Sequence, residues 1–244
     1  MPYHIVPATP SDAIPIASIF TTAFNTHPIA AHLYPHTPPG LEYADDLAHV
    51  TDMLSQPPTY GNRVFKLVTT PTNEVLAFSK WLFPIPEAGD EEVAERWARE
   101  EEKGELLEGC NGRLFDAFVN ALEKGRREWV DPRKGWFLQY LCVKEGERRR
   151  GWGRLLVEHT LRSVDLEGGT CYVEASWEGE GLFRQLGWRV CEEMRFDLRE
   201  FGVECGEGDG DGVVRLRNYM RLPRGMVGDG DGGEMAEKVH GTMV

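Results

Sequence analysis

Hydrophobic residues first recur at helical spacing after Thr9-Pro10-Ser11-Asp12-Ala13, where Ser or Asp can cap a helix start. Ile16, Ile19, Phe20 and Ala23 share one face of a helix predicted to reach about Phe24, after a short strand over 3–6. Pro28 ends it, and Pro35, Pro38 and Pro39 mark a loop. A second helix is expected over about 42–54, before the Pro57-Pro58 break. The runs 63–69 and 74–83 predict an antiparallel pair around a Pro71-Thr72-Asn73 turn. Acidic residues dominate 87–108, expected to be helical or partly loose. Leu114, Phe115, Phe118 and Leu122 then mark an amphipathic helix over 114–127.

The run 136–143 is almost continuously apolar, as expected of a central strand buried on both faces. A helix over about 151–165 follows, with Val157, Leu161 and Val164 on one face. Then come a strand at 171–175, a short helix at 179–186 and closing strands at 188–198 and 213–222. The Gly/Asp/Glu alternation of 206–212 predicts a mobile connector, and the tail 225–244 has too little apolar material to fold. The expected organisation is one domain over 1–224, carrying an acidic helical insert at 87–130.

Composition narrows the functions. A formal charge of −13 over 244 residues argues against nonspecific nucleic-acid binding, which needs basic surface to displace counterions. It suits solubility, and long-range steering of cationic amines. The five cysteines are scattered without CxxC spacing, which suggests neither a zinc site nor a disulfide framework and fits reduced thiols in cytoplasm or nucleus. No basic start with an apolar run and no spanning apolar stretch is present, so neither a signal peptide nor a membrane partner is expected. No metal site is expected, and monomer and homodimer are both open.

The chemistry concentrates where the central strand meets its helix. Arg148, Arg149, Arg150, Gly151, Trp152, Gly153 and Arg154 form Arg-x-x-Gly-x-Gly at that junction. Glycines permit positive φ and close backbone approach. The first helical turn offers unpaired N–H groups and a positive dipole end, which suits a pyrophosphate, and arginines add charge-assisted hydrogen bonds. A dinucleotide fingerprint needs a third glycine at position 156, which is Leu156.

The order of strand, Arg148-x-x-Gly151-x-Gly153, helix, strand and Leu182-Phe183-Arg184-Gln185-Leu186-Gly187-Trp188 resembles the acetyl-CoA-binding half of the GNAT superfamily. Pro7–Ala13, Ala77-Phe78-Ser79-Lys80-Trp81 and Tyr172-Val173-Glu174-Ala175-Ser176 resemble a branch common in fungi. The resemblance spans about residues 3–222, outside the acidic insert and the tail. It implies an α/β (α+β) fold: a mixed central sheet of about seven strands, splayed between the fourth and fifth and flanked by helices. It also implies acetyl-CoA as co-substrate and direct attack by a primary amine in a ternary complex.

Carried over residue by residue, the backbone of Leu141, Cys142 and Val143 would pair with pantetheine as an added strand. Residues 148–154 would hold the pyrophosphate. Ser176 and Phe183 stand where the family often has Asn and Tyr. Phe183 cannot donate the proton that the Tyr commonly gives the departing thiolate, which favours a catalytically weak or inactive acyl-CoA-binding regulator as the alternative function. Water or Ser176 could supply that proton instead. Glu174 is the best-placed carboxylate for a base, with holding a backbone amide or an arginine as its competing role. His27, His32, His36 and His49 lie where the fold borders the acceptor. Phe24, Tyr34, Tyr43, Trp81 and Phe83 either line an acceptor pocket or fill the core.

Overall fold

The computed structural model describes residues 2–38, 40–101, 105–204 and 211–223. The expected tail, and most of the expected 206–212 connector, lie outside the described residues. Seven strands form one sheet: β1 (Tyr3–Pro7), β2 (Asn62–Thr69), β3 (Val75–Leu82), β4 (Gly135–Val143), β5 (Thr170–Ala175), β6 (Arg189–Asp197) and β7 (Val213–Arg221). Their order is β1-β2-β3-β4-β5-β7-β6, and every neighbouring pair is antiparallel except β4 with β5.

Helices cover both faces. On one, α6 (Trp152–Glu167) and α7 (Trp177–Gln185) bury Val157, Leu161, Val164 and Phe183 against Trp81, Trp136 and Leu138. On the other, α1 (Ala13–Phe24) and α3 (Leu41–Ser55) pack Ile16, Phe20, Val50 and Met53 onto Val64, Phe78 and Cys142. Farther along that face lie α4 (Asp90–Glu100) and α5 (Gly112–Trp129), whose Trp97 and Trp129 meet Phe137 and Tyr172. Each such side chain taken from water contributes roughly 1.5–3 kcal/mol, so sheet and helices stabilise one another.

Most differences from expectation are at element ends. A short α2 (Ala30–Leu33) lies in the segment expected as loop, and the last part of the strand expected to end at Leu198 is a 3₁₀ turn, Leu198–Phe201. One difference concerns function. Strand β4 is buried on both faces only to Leu138, and Gln139, Tyr140 and Leu141 are half-buried. The physical reason is that β5 leaves β4 there.

Candidate active site

The β4–β5 pairing runs from Gly135↔Thr170 to Leu138↔Val173 and stops, while β4 continues to Val143 and β5 to Ala175. Beyond Leu138 the strands therefore part, and the edge of β4 that faces β5 loses its partner. A register shift sits at the same place: Trp81 pairs with Leu138 and Lys80 with Tyr140, leaving Gln139 as a bulge.

Lys144 donates its N–H to Leu76 O in β3 at 2.8 Å. Backbone directions alternate along a strand, so Leu141 and Val143 direct their N–H groups to the opposite side, into the gap. Cys142, in register with Phe78, turns its backbone to β3 and buries its side chain under α1. Of the three residues expected to pair with pantetheine, Leu141 and Val143 thus have backbone groups in the gap and Cys142 does not. Burial pushes the Cys142 thiol up to about 12, as befits a packed side chain rather than a nucleophile.

At the end of this gap the chain turns into α6. Gly151 has φ +89°, a conformation L side chains rarely adopt, and a Cβ there would meet nothing within 4 Å. The helix tip is open. Trp152, Gly153 and Arg154 follow in its first turn, where N–H groups have no preceding carbonyl to bind. A Cβ on Gly153 would lie 3.6 Å from Leu141 and Val143, so α6 packs closely on the strand. Arg149 is left-handed at φ +64°. Arg148 reaches α1, 3.4 Å from Thr22 O and Thr26 Oγ1; Arg150 pairs with Glu147, and Arg154 with Glu158 and Gln185. The indole N–H of Trp152 donates to Glu147 at 3.2 Å.

Across the gap, Ser176 directly precedes α7, and its hydroxyl donates to Glu178 Oε2 at 2.9 Å without capping a backbone N–H. Phe183 is buried on the α6 side of the sheet, 5.4 Å from the Trp188 ring and 6.3 Å from that of Tyr219. Glu174 faces the other way. Its two carboxylate oxygens accept from Arg126 Nε and Nη2, both at 2.8 Å. Burial raises the Glu174 carboxyl, and the Arg126 charge opposes that shift. Glu174 thus holds an arginine, one of the structural roles weighed beside that of a base.

The face opposite α6 is polar around the splay. Lys80 lies 3.2 Å from Glu100 of α4, both buried. Tyr140 sits between Phe20 and Phe24, with its hydroxyl 3.3 Å from His49 Nε2. His27 lies between the rings of Phe24 and Phe118, and burial lowers its imidazole to about 4. Of the four histidines considered, His27 and His49 enter this region; His36 is exposed in its loop and His32 lies on α2. Burial raises Asp46 of α3 to about 6, against a hydrogen bond with Thr21. The five aromatic candidates do not converge: Phe24 and Tyr43 pack on the α1 side, Tyr34 near α2, and Trp81 and Phe83 under α6. Tyr140 and Arg126 are not singled out by the sequence, and Lys80 entered only as part of the 77–81 motif. The available signal was a lysine inside the apolar run of 75–82.

No protein-family model matches the chain, and no curated protein sequence matches it. Solved structures do. Arylalkylamine N-acetyltransferase 2 from Aedes aegypti superposes with TM-score 0.60 at 11% identity, covering 91% of this chain and 99% of that one. The Drosophila melanogaster polyamine N-acetyltransferase, described as forming N-acetylagmatine, gives 0.57 at 13% identity over 91% and 100%. The strand order, the single parallel pair and these superpositions agree. This chain has the GNAT fold. Within that fold the gap between β4 and β5 and the glycine tip of α6 lie side by side, as the motif order implies. Among the described residues, no helix is long and apolar enough to cross a membrane, and no group of three or more His, Cys, Asp or Glu could hold a metal ion.

Proposed function

We propose that the chain is an acetyl-CoA-dependent N-acetyltransferase acting on a primary amine by direct attack within a ternary complex. The observation that supports it is the unpaired β4 edge at Leu141 and Val143 leading to the open helix tip at Gly151. An extended pantetheine chain has amides that match such an edge. A diphosphate suits the first-turn N–H groups of α6, with Arg148, Arg149, Arg150 and Arg154 nearby. In this reading the Val143 N–H polarises the thioester carbonyl, and binding both substrates together supplies proximity. The motifs at 7–13, 77–81 and 172–176 are the ground for placing it in the fungal-type branch. A cytoplasmic or nuclear setting belongs to the same reading.

Amine acceptance fits the α1–α3 side. Glu42, Asp45 and Asp46 add negative charge near Tyr34, while Phe20, Phe24 and Tyr140 add apolar surface. The test is release of free CoA thiol from acetyl-CoA across a panel of amines. Arg148→Glu should weaken CoA binding by roughly 10–100-fold, the effect of removing one or two charge-assisted contacts. Unchanged affinity and turnover in that variant would reject the placement of the diphosphate.

Phe183 favours a second reading, an acyl-CoA-binding regulator. Its ring is buried and offers no hydroxyl. CoA binding with no thiol release across the whole panel would select it.

A further inference from the structure

Tyr140 is the first β4 residue beyond the Gln139 bulge, two positions past the last pairing with β5. Its side chain lies on the α1–α3 face, and its hydroxyl is 3.3 Å from His49 Nε2. His49 packs its ring against Phe20 and Tyr140 and reaches solvent along α3. Tyr140 thus leaves β4 where the two strands part, and its bond to His49 runs toward the surface of α3. The groups around it are Lys80 from β3, Glu100 from α4, Arg126 from α5, Glu174 from β5, and Asp45 and Asp52 from α3. Two cations and four carboxylates thus surround the pair, with Lys80 and Arg126 each held by a glutamate.

The direction of the Tyr140–His49 bond depends on the imidazole tautomer. Burial pushes the phenol up, so Tyr140 keeps its proton and can donate it to Nε2. Burial, followed by the charge of Lys80, lowers His49, so at neutral pH its imidazole is uncharged. An uncharged imidazole that accepts at Nε2 carries its proton on Nδ1.

We propose that Tyr140 and His49 form the outward proton relay of the transfer reaction. The proposal rests on the transferase reading above. When the amine nitrogen attacks the thioester carbon, its C–N bond forms and one N–H becomes strongly acidic, because the amide product cannot hold a second proton. That N–H breaks as a new O–H forms on Tyr140, while the phenol's original proton moves to His49 Nε2. The imidazolium then gives one proton to bulk water. The C–S bond breaks separately, and the departing thiolate takes a proton from solvent. Tyr140 is the catalytic residue of the pair, and His49 acts through it. Glu174, held by Arg126, keeps the floor of the gap in place and takes no proton.

Two measurements test this. Nitrogen-15 NMR of the histidines in the ligand-free protein should show His49 as the Nδ1–H tautomer. Tyr140→Phe should move it toward the Nε2–H form that dominates in water. In turnover, His49→Ala should lower kcat about 10–100-fold, leave CoA affinity in calorimetry unchanged, and be restored by millimolar imidazole. Loss of the acid limb of the pH–kcat profile should accompany it. An Nε2–H tautomer in the wild type, or turnover of both variants within about twofold of wild type, overturns the relay while leaving the transferase reading intact. A wild type that binds CoA but releases no thiol with any amine overturns the transferase reading and the relay together.

Discussion

Lys80 and Glu100 meet at 3.2 Å in the interior, the lysine on β3 and the glutamate at the end of α4. The acidic segment is therefore anchored to the sheet through a buried ion pair and is not merely a solvated helix. Arg96 of the same helix adds two bonds, to Phe83 O at 2.9 Å and Pro132 O at 3.1 Å.

Breaking that pair should be costly. Glu100→Ala strands a buried ammonium, and removing one partner of such a pair costs about 3–5 kcal/mol. Replacing both, as Lys80→Met with Glu100→Leu, should recover most of the loss. Urea unfolding of the single and double variants checks it. Equal destabilisation in both would contradict the argument.

The same reasoning applies to Glu174. Its pair with Arg126 is bidentate and buried, so Glu174→Gln should destabilise the fold by about 3 kcal/mol. Turnover per folded molecule should fall much less. A loss of kcat with full retention of stability would restore Glu174 as the base.

These charged contacts explain what the sequence could and could not convey. The periodicity of 16–23, the apolar run of 136–143 and the glycines at 151 and 153 are local signals, and the mixed sheet splayed between its fourth and fifth strands followed from the family resemblance. The buried Lys80–Glu100 and Arg126–Glu174 pairs join residues separated by 20 and 48 positions on different elements. Nothing in their local spacing distinguishes them from solvated charges. Strand β4 was legible as a strand, but the half-burial of its end is not visible in its own residues; the departing neighbour that causes it was implied only by the family resemblance. Tyr140 looked like one more apolar residue for the same reason.

His27 sets a pH dependence. Its folded value of about 4 lies below the ordinary 6.5, so the unfolded chain binds more protons between those values. Stability should accordingly fall as pH drops from 6.5 to 4, by up to ~3 kcal/mol. Asp46, raised from 3.8 to about 6, acts with the opposite sign, its penalty growing as pH rises through that window. The difference between wild type and His27→Gln isolates the histidine. A pH-independent difference would contradict the burial of a neutral ring.

The two glycines of the helix tip should respond differently. Gly151→Ala forces a side chain into φ +89° and should cost roughly 1–2 kcal/mol. Gly153→Ala places its Cβ at ordinary contact distance from Leu141 and Val143, and helix propensity should make it neutral or slightly stabilising. Thermal unfolding of the pair gives the comparison. Equal losses would mean that the tip is not shaped as described.

Phe183→Tyr puts a hydroxyl on a ring packed against Trp188 and Tyr219. Because a thiol leaves readily without a positioned acid, kcat should rise less than tenfold. A hundredfold rise in thiol release would show that the missing hydroxyl limits catalysis.

The most direct test is titration of CoA into nitrogen-15-labelled protein, following the backbone amides. Leu141, Val143 and the first turn of α6 from Gly151 should shift together, while Cys142, whose N–H is spent on β3, should move little. If millimolar CoA leaves the Val143 and Gly151 amides unmoved, or shifts only residues remote from the β4–β5 gap, the cofactor does not bind there.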